Sequence, residues 1–215
     1  MISIIGAGPA GLYSAYLLSK KGYDVKVFEQ KDKVGMPIQC TGIVTSKIKE
    51  IFQLKEKVIK NRIRRIEVNS KTSSACIKLK EPDMILDRSK FDQEIKDMAE
   101  KASAEVILRN KFIKKDRNGI ILKDIIKNKT KRINTECIIG ADGTLSQVYN
   151  ILNPNVKKEF YKGIQARING NFEKDMFKVY LGSVCPDFFA WVVPENESVA
   201  RVGLATRMNQ KEMFD

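Results

Sequence analysis

The chain has 215 residues, enough for one domain or one and a half, and enough to bury a core without disulfides or metal. It is 43% hydrophobic and 30% charged, which excludes a disordered polymer. Its 39 Lys and Arg stand against 26 Asp and Glu, a net charge of +13, and there is no histidine; a Ser-His-Asp triad, a Cys-His pair and His-ligated metal are excluded from its own side chains.

Met1 to Ile5 is a short apolar run with the pattern of a buried strand, followed at once by Gly6-Ala-Gly-Pro-Ala-Gly11. Leu12 to Lys20 reads as a helix stopped by Gly22, and Tyr23 to Phe28 resumes as a strand ending at Glu29. Gln30 to Gly42 is loop-like, and a helix is expected over Ser46 to Phe52. Arg62 to Val68 and Ala75 to Leu79 alternate apolar and polar residues around a Ser/Thr/Lys turn, the pattern of a hairpin. Ser89-Lys-Phe-Asp92 opens a helix with Phe91, Ile95, Met98, Ala99 and Ala102 on its apolar face.

Glu105 to Leu108, Lys111 to Lys115 and Gly119 to Ile126 read as strands, the last two joined at Asn118-Gly119. Glu136 to Gly140 is an apolar strand running into Ala141-Asp142-Gly143. Beyond Asn150 the expected elements are all strands: Phe160 to Asn169, Met176 to Leu181, Phe188 to Val193 and Val199 to Ala205. Asn209 looks like the N-cap of a further helix. The expected class is α/β: a Rossmann-like βαβ layer with an attached antiparallel sheet.

Cys40, Cys76, Cys137 and Cys185 form no CxxC pair, so neither zinc nor an iron–sulfur cluster is expected. Nothing marks secretion, and reduced cytosolic thiols are the expectation. Met1 to Leu18 is the longest apolar stretch, but three glycines and Pro9 interrupt it, and it reads as neither signal peptide nor membrane span. The basic excess contains no run of five basic residues and few interleaved aromatics, so nucleic acid is not an expected partner. It reads as a solvated basic surface, with an anionic partner as the alternative.

The strongest chemical signal is Gly6-x-Gly8-x-x-Gly11 between a strand and a helix. In that context Gly6 makes the tight turn, Gly8 admits a pyrophosphate to the backbone, and Gly11 lets the helix pack close to the sheet. The helix N-terminus offers N–H groups and partial positive charge to phosphates. Glu29, 18 residues beyond Gly11, stands where a carboxylate accepts ribose hydroxyls and repels a 2′-phosphate.

Three segments together resemble the FAD-binding flavoproteins that include the aromatic hydroxylases: the glycine turn, Asp87-Arg88-x-x-Phe91-Asp92, and Gly140-Ala-Asp142-Gly143-x-x-Ser146. The resemblance implies that Arg88 reaches the phosphate–ribityl region and that the Asp142-Gly143 strand end sits beside the pyrophosphate. The alternatives are an ion pair of Arg88 with Asp87 or Asp92, and a plain strand-to-loop turn at Asp142. Hydroxylases usually carry Arg three residues after that Ser; Tyr149 stands here, which counts against a hydroxylase using tightly bound NADPH.

Two further segments are similar to the geranylgeranyl reductase family, above all its archaeal digeranylgeranylglycerophospholipid reductases. They are Pro37-Ile-Gln-Cys40-Thr-Gly42 and Phe188-Phe-Ala-Trp191-Val-Val-Pro194, the latter followed by Val202-Gly203. Tyr180-Leu-Gly182 and Pro186 also fit, while Cys185-Pro-Asp187 replaces the family's Gly-Gly turn. The resemblance implies an FAD-dependent oxidoreductase that saturates C=C bonds of geranylgeranyl chains in archaeal-type ether phospholipids or geranylgeranyl diphosphate.

The implied cofactor contacts are Gly6, Gly8, Ala10, Gly11, Glu29, Gln30, Cys40, Thr41, Gly42, Arg88, Phe112, Asp142 and Gly143. The implied catalytic set is Cys40, Tyr180 and Trp191, with Phe188, Phe189, Trp191 and Tyr180 lining a prenyl tunnel or simply packing a core. Cys76, Cys137 and Cys185 are expected in the core. The implied partners are a prenylated lipid and an electron donor, ferredoxin or NAD(P)H, with the protein in the cytoplasm and peripheral contact to an anionic membrane surface. Expected domains are an FAD-binding part over 1–150, with an inserted hairpin at 62–80, and a truncated antiparallel substrate domain over 151–215. The family's Gly-Asp-Ala-Gly segment is not in this sequence, so a fragment, a separate C-terminal polypeptide or a degenerate remnant is expected. A flavin monooxygenase or halogenase of the same fold, and a non-catalytic FAD-binding fragment, are the competing readings.

Overall fold

The computed structural model describes residues 1–207; the expected cap at Asn209 lies outside them. The chain divides into two compact units. The first takes Met1–Gln39 and Arg88–Lys157; the second takes Cys40–Asp87 and the chain from Lys158 on.

In the first unit, strand β1 (Ile2–Ile5), helix α1 (Pro9–Lys20) and strand β2 (Val25–Phe28) form the opening βαβ turn. A parallel sheet of order β10-β1-β2-β6 is completed by β6 (Glu105–Ile107) and β10 (Cys137–Gly140). Register pairs Ile5 with Phe28 on one side and with Gly140 on the other. The chain therefore leaves three adjacent strands at one carboxyl edge: at Gly6, at Glu29 and at Ala141. β1 is also where the strand order changes direction, and in open parallel sheets ligands bind outside the carboxyl ends at such a point.

Helix α1 starts at Pro9, which pre-sets the helical φ and has no N–H to leave unsatisfied. It buries Gly11, Leu12, Ala15 and Ser19. Helix α2 (Arg88–Lys101) buries Phe91, Asp92, Ile95 and Ala99. Strands β7 (Asn110–Asp116), β8 (Gly119–Asp124) and β9 (Lys129–Asn134) form an antiparallel meander, with the expected Asn118-Gly119 turn between the first two. Ile5, Phe28, Phe112, Ile120, Leu122 and Val148 make a shared core. Each such side chain contributes roughly 1.5–3 kcal/mol on burial. Helix α3 (Gln147–Leu152) closes the unit.

The second unit is a seven-stranded sheet. β3 (Ile43–Val44), β4 (Ile59–Asn69) and β5 (Ser74–Leu86) come from the first half of the chain. β11 (Lys162–Asn169), β12 (Met176–Gly182), β13 (Cys185–Pro194) and β14 (Val199–Thr206) come from the second. The order is β11-β14-β13-β12-β4-β5-β3. The hairpin expected at 62–80 exists, but it is not an insert of the first domain. β4 pairs parallel with β12, Met176 against Arg65, so it belongs with the C-terminal strands. A seam between residues some 110 positions apart leaves no trace in local sequence pattern.

The four strands expected beyond Asn150 are present. The helix expected at Ser46–Phe52 is a short 3-10 turn, Ser46–Glu50, with no buried residue. Of the cysteines, only Cys185 is buried; Cys76 and Cys137 are exposed, against expectation. Cys137 lies on an edge strand, and Cys76 lies in the exposed distal half of the β4–β5 pair. Among the described residues no helix is long and apolar enough to cross a membrane, and no cluster of metal-ligating side chains occurs.

Candidate functional site

At the carboxyl edge of the parallel sheet the three glycines play three different parts. Gly6 has φ +103°, and a Cβ there would lie 2.3 Å from the Ala141 carbonyl oxygen. A Cβ on Gly11 would lie 2.0 Å from the Gly6 carbonyl oxygen and 3.1 Å from Ala141 Cβ, so the helix touches strand ends that no side chain could separate. At Gly8 a Cβ would meet nothing within 4 Å. Gly8 is the N-cap of α1, no side chain caps that end, and no acidic residue lies in the first turn. The N–H groups of Ala10 and Gly11 belong to that first turn, where a helix has no acceptor of its own. The result is an open, locally positive helix tip.

Glu29 stands beside it. Its Oε2 accepts from the Ala7 N–H at 2.8 Å and its Oε1 from the Lys31 N–H at 2.9 Å. Its backbone is fixed as well, the N–H donating to Ile107 O and the carbonyl accepting from Asn110 N. Each carboxylate oxygen keeps a lone pair for an outside hydroxyl. Gln30 and Ala10 are exposed at the same edge. An adenosine diphosphate group fits this donor set: phosphate at the Gly8 gap, ribose hydroxyls at Glu29.

The other expected contacts divide. Arg88 is held by Asp92 through two hydrogen bonds, Nε to Oδ1 at 2.9 Å and Nη2 to Oδ2 at 3.1 Å. Burial pushes the Asp92 carboxyl up against the pull of that guanidinium. Gly35 has φ +75°, and a Cβ there would lie 3.2 Å from Arg88 O, so the segment before Pro37 seats on the start of α2. Asp142 caps α3: its carboxylate accepts from Ser146 Oγ, from Gln147 N at 2.7 Å and from Val148 N. Gly143 is exposed with open space at its Cβ position. The ring of Phe112, also expected at the cofactor, is 5% exposed and packed in the core.

In the second unit, Cys40 is exposed and its Sγ accepts from the Gly42 N–H at 3.4 Å. Gly42 has φ +81°, and a Cβ there would lie 2.6 Å from Leu86 O. Trp191 lies over Gly203: a Cβ on Gly203 would sit 2.7 Å from Trp191 Cζ2. It would also sit 2.5 Å from Ile164 O, so neighbouring backbone and the Trp191 ring together require a glycine after Val202. Phe189 meets Trp191 edge-on at 6.0 Å and stacks on Phe188 at 4.4 Å; Phe188 reaches Tyr161 at 4.9 Å. Tyr180 does not join this aromatic run. Register pairs Val179 with Trp191 and Tyr180 with Ala190, and partners across a ladder share a face, so Tyr180 and Trp191 occupy opposite faces of the sheet. A tunnel lined jointly by both is not built.

Sequence reasoning missed Arg201 and Glu195. Both are buried, at 4% and 3% exposed, and Arg201 Nη1 donates to the carbonyls of Cys40 and Thr41 at 2.8 Å each. A charged pair in an otherwise apolar strand context was the available signal.

Comparison with known proteins gives three kinds of match. Residues 4–44 match the family model of an NAD(P)-binding Rossmann-like domain. Over 97% of its length the chain is 25% identical to a digeranylgeranylglycerophospholipid reductase of Thermoplasma volcanium. It spans 57% of that relative. Among solved structures it is similar to a geranylgeranyl bacteriochlorophyll reductase-like protein of Thermoplasma acidophilum, with TM-score 0.84 and 22% identity over 100% of this chain and 60% of the other. A flavin-dependent brominase matches with TM-score 0.77 and 17% identity, over 99% of this chain and 60% of its own. The fold is thus that of the reductase and halogenase flavoproteins, and the resemblance to the geranylgeranyl reductases runs along the whole chain.

Proposed function

We propose that this chain holds FAD at the carboxyl edge of its parallel sheet and serves a reductase saturating C=C bonds of geranylgeranyl chains, in ether phospholipids or in geranylgeranyl diphosphate. The observation that carries the flavin reading is the pairing of an uncapped helix tip at Gly8 with a backbone-anchored acid at Glu29. The substrate class rests on similarity to reductases bearing that name.

Bound reduced flavin supplies a hydride, chemistry that belongs to the cofactor. The chain's own residues bind and orient. The N–H groups of the α1 tip take the pyrophosphate, and Glu29 takes the adenosine ribose. Arg88, oriented by Asp92, and the Asp142-Gly143 turn are assigned to the remaining phosphate region. For Asp142 this means its backbone, since α3 occupies its carboxylate. The Cys40–Gly42 loop is assigned to the flavin ring on the resemblance. Phe189 and Trp191 present an apolar face that excludes water from a prenyl chain. The second hydrogen arrives as a proton from water or the Cys40 thiol; Tyr180, on the other face from Trp191, leaves the set of donors. Electrons come from ferredoxin or NAD(P)H. The net charge of +13 suits a phosphorylated headgroup and peripheral contact with an anionic cytoplasmic leaflet.

Gel filtration after reconstitution with FAD tests the first part: flavin coeluting with the chain supports it, and free flavin alone refutes it. Anaerobic reduction with dithionite in the presence of geranylgeranyl lipids tests the second. A gain of two hydrogens per double bond by mass spectrometry is the expected product. Oxygen- or halide-dependent modification of an aromatic would instead support the monooxygenase or halogenase reading that the brominase fold allows. Flavin loss that no C-terminal polypeptide restores would mark a non-catalytic remnant.

A further inference from the structure

Inside the second unit an ion cluster built on the buried pair Glu195 and Arg201, with Lys60 half-buried and Arg167 exposed at its rim, reaches the Cys40 loop. Glu195 Oε1 accepts from Arg201 Nε at 2.7 Å. Its Oε2 accepts from Lys60 Nζ and from Arg167 Nε, both at 2.9 Å. Three cations share one carboxylate, and register sets Arg201 directly opposite Arg167. Two neighbouring guanidiniums repel, and Glu195 between them is what makes the arrangement tolerable. The surplus positive charge is directed onto backbone. Arg201 Nη1 forks to the carbonyl oxygens of Cys40 and Thr41, 2.8 Å each, as charge-assisted hydrogen bonds.

The same loop is pinned on its other side. Leu86 N–H donates to Gly42 O at 2.8 Å, and Gly42 approaches Leu86 too closely for any side chain. Cys40 to Gly42 has no regular secondary structure before β3. Its shape therefore comes from these contacts: Arg201 on one side, β5 on the other, and the Gly42 N–H to Cys40 sulfur bond within. Arg201 itself stands on β14, paired with strands on both sides.

We propose that Arg201, oriented by Glu195, is a positioning residue that locks the Cys40–Thr41–Gly42 loop in the shape that presents Cys40 to the flavin. For the identity of what the loop faces, this rests on the function proposed above; for the lock itself it rests on geometry alone. Lysine cannot substitute. One ammonium lacks the planar fork that serves Glu195 and two carbonyls together.

The test is amide hydrogen exchange on the 215-residue protein, wild type against Arg201→Lys and Arg201→Met, with no cofactor added. Arg201→Lys keeps a cation against Glu195 and is the variant chosen to preserve the fold. Its expected effect is a tenfold or greater loss of protection confined to residues 40–44, with β13 and β14 as protected as in wild type. Unchanged exchange at 40–44 overturns the proposal. Rapid exchange of the Gly42 amide in wild-type protein overturns it without any variant.

A second readout uses FAD-loaded protein. Arg201→Lys is expected to shift the absorption spectrum of the bound flavin, which a remote structural defect would leave alone. Loop loosening with an unaltered flavin spectrum overturns the positioning role. If wild-type protein takes up no FAD, the flavin reading fails while the exchange experiment still decides the lock.

Discussion

The glycine turn of the first unit and the Cys40 loop of the second fix the shape of their backbone by opposite means. In the turn, side chains are missing: Gly6 and Gly11 let strand, helix and Ala141 close on one another, and Gly8 leaves a gap. In the loop, a side chain is added: Arg201 comes from 161 residues away to hold one carbonyl and from 160 to hold the next. The first device is carried by a few neighbouring residues and an acid at the end of the next strand. The second needs the whole sheet to be assembled before it exists. A turn made by omission needs only its βαβ unit and the strand end at Ala141 in place, whereas a loop held by a buried charge is as stable as that charge's partners.

The largest expected effect separates two glycines of the same turn. Gly11→Ala drives a methyl into the Gly6 carbonyl and is expected to cost roughly 3 kcal/mol or more of stability, seen as a collapse of the thermal melt. Gly8→Val points into open space and is expected to cost the fold only about 1 kcal/mol as a poorer N-cap, yet to abolish FAD retention on gel filtration. Equal melting behaviour of the two variants would erase the distinction between packing glycine and ligand glycine.

The charge cluster gives the next effect. Burial works to raise the Glu195 carboxyl, but hydrogen bonds from Lys60 and Arg201 outweigh it and hold the group below its ordinary value. A lowered folded-state value means stabilisation that is complete above the unfolded-state value and is lost as the pH falls through the folded-state one. Glu195→Gln leaves three cations without their shared anion and is expected to lower stability at neutral pH by about 3 kcal/mol. Urea midpoints measured on acidification should fall more steeply for wild type than for the variant below the ordinary carboxylate range. Parallel curves would show that Glu195 does not hold the cluster together.

Glu29→Ala belongs to the first unit and is smaller. It removes the acceptor of the Ala7 N–H and the ribose partner together, with an expected loss of roughly 1–3 kcal/mol in FAD binding by fluorescence titration. Unchanged affinity would take Glu29 off the ribose. Tyr180→Phe is the smallest: on the face opposite Trp191, it is expected to alter stability and any reductase turnover by less than about 0.5 kcal/mol. A large loss of turnover would return Tyr180 to the catalytic set.

Reading of the chain was accurate where structure is local. The βαβ opening follows from the period change between Ile5, Leu12 and Val25, and the meander from Asn118-Gly119. The β13–β14 hairpin rests on Asn196, whose side chain accepts from Ser198 N and Val199 N. Reading went astray where a local pattern had no say. Cys76 and Cys137 lie in apolar strings yet are exposed, Cys137 on the edge strand β10 and Cys76 in the distal part of β5, beyond its pairing with β3. Tyr180 and Trp191 are aromatic strand residues alike, and only the ladder register sends them to different faces.

By itself the order of residues determined the glycine turn, since a strand, three spaced glycines, a helix and an acid form one unit within thirty positions. Only tertiary structure decided which strands share a sheet, that 40–87 join the C-terminal strands, and that Arg201 and Glu195 grip the Cys40 loop. Backbone conformation is written in neighbouring side chains. Strand pairing and the neutralisation of buried charge are properties of surfaces that meet only after the chain has folded.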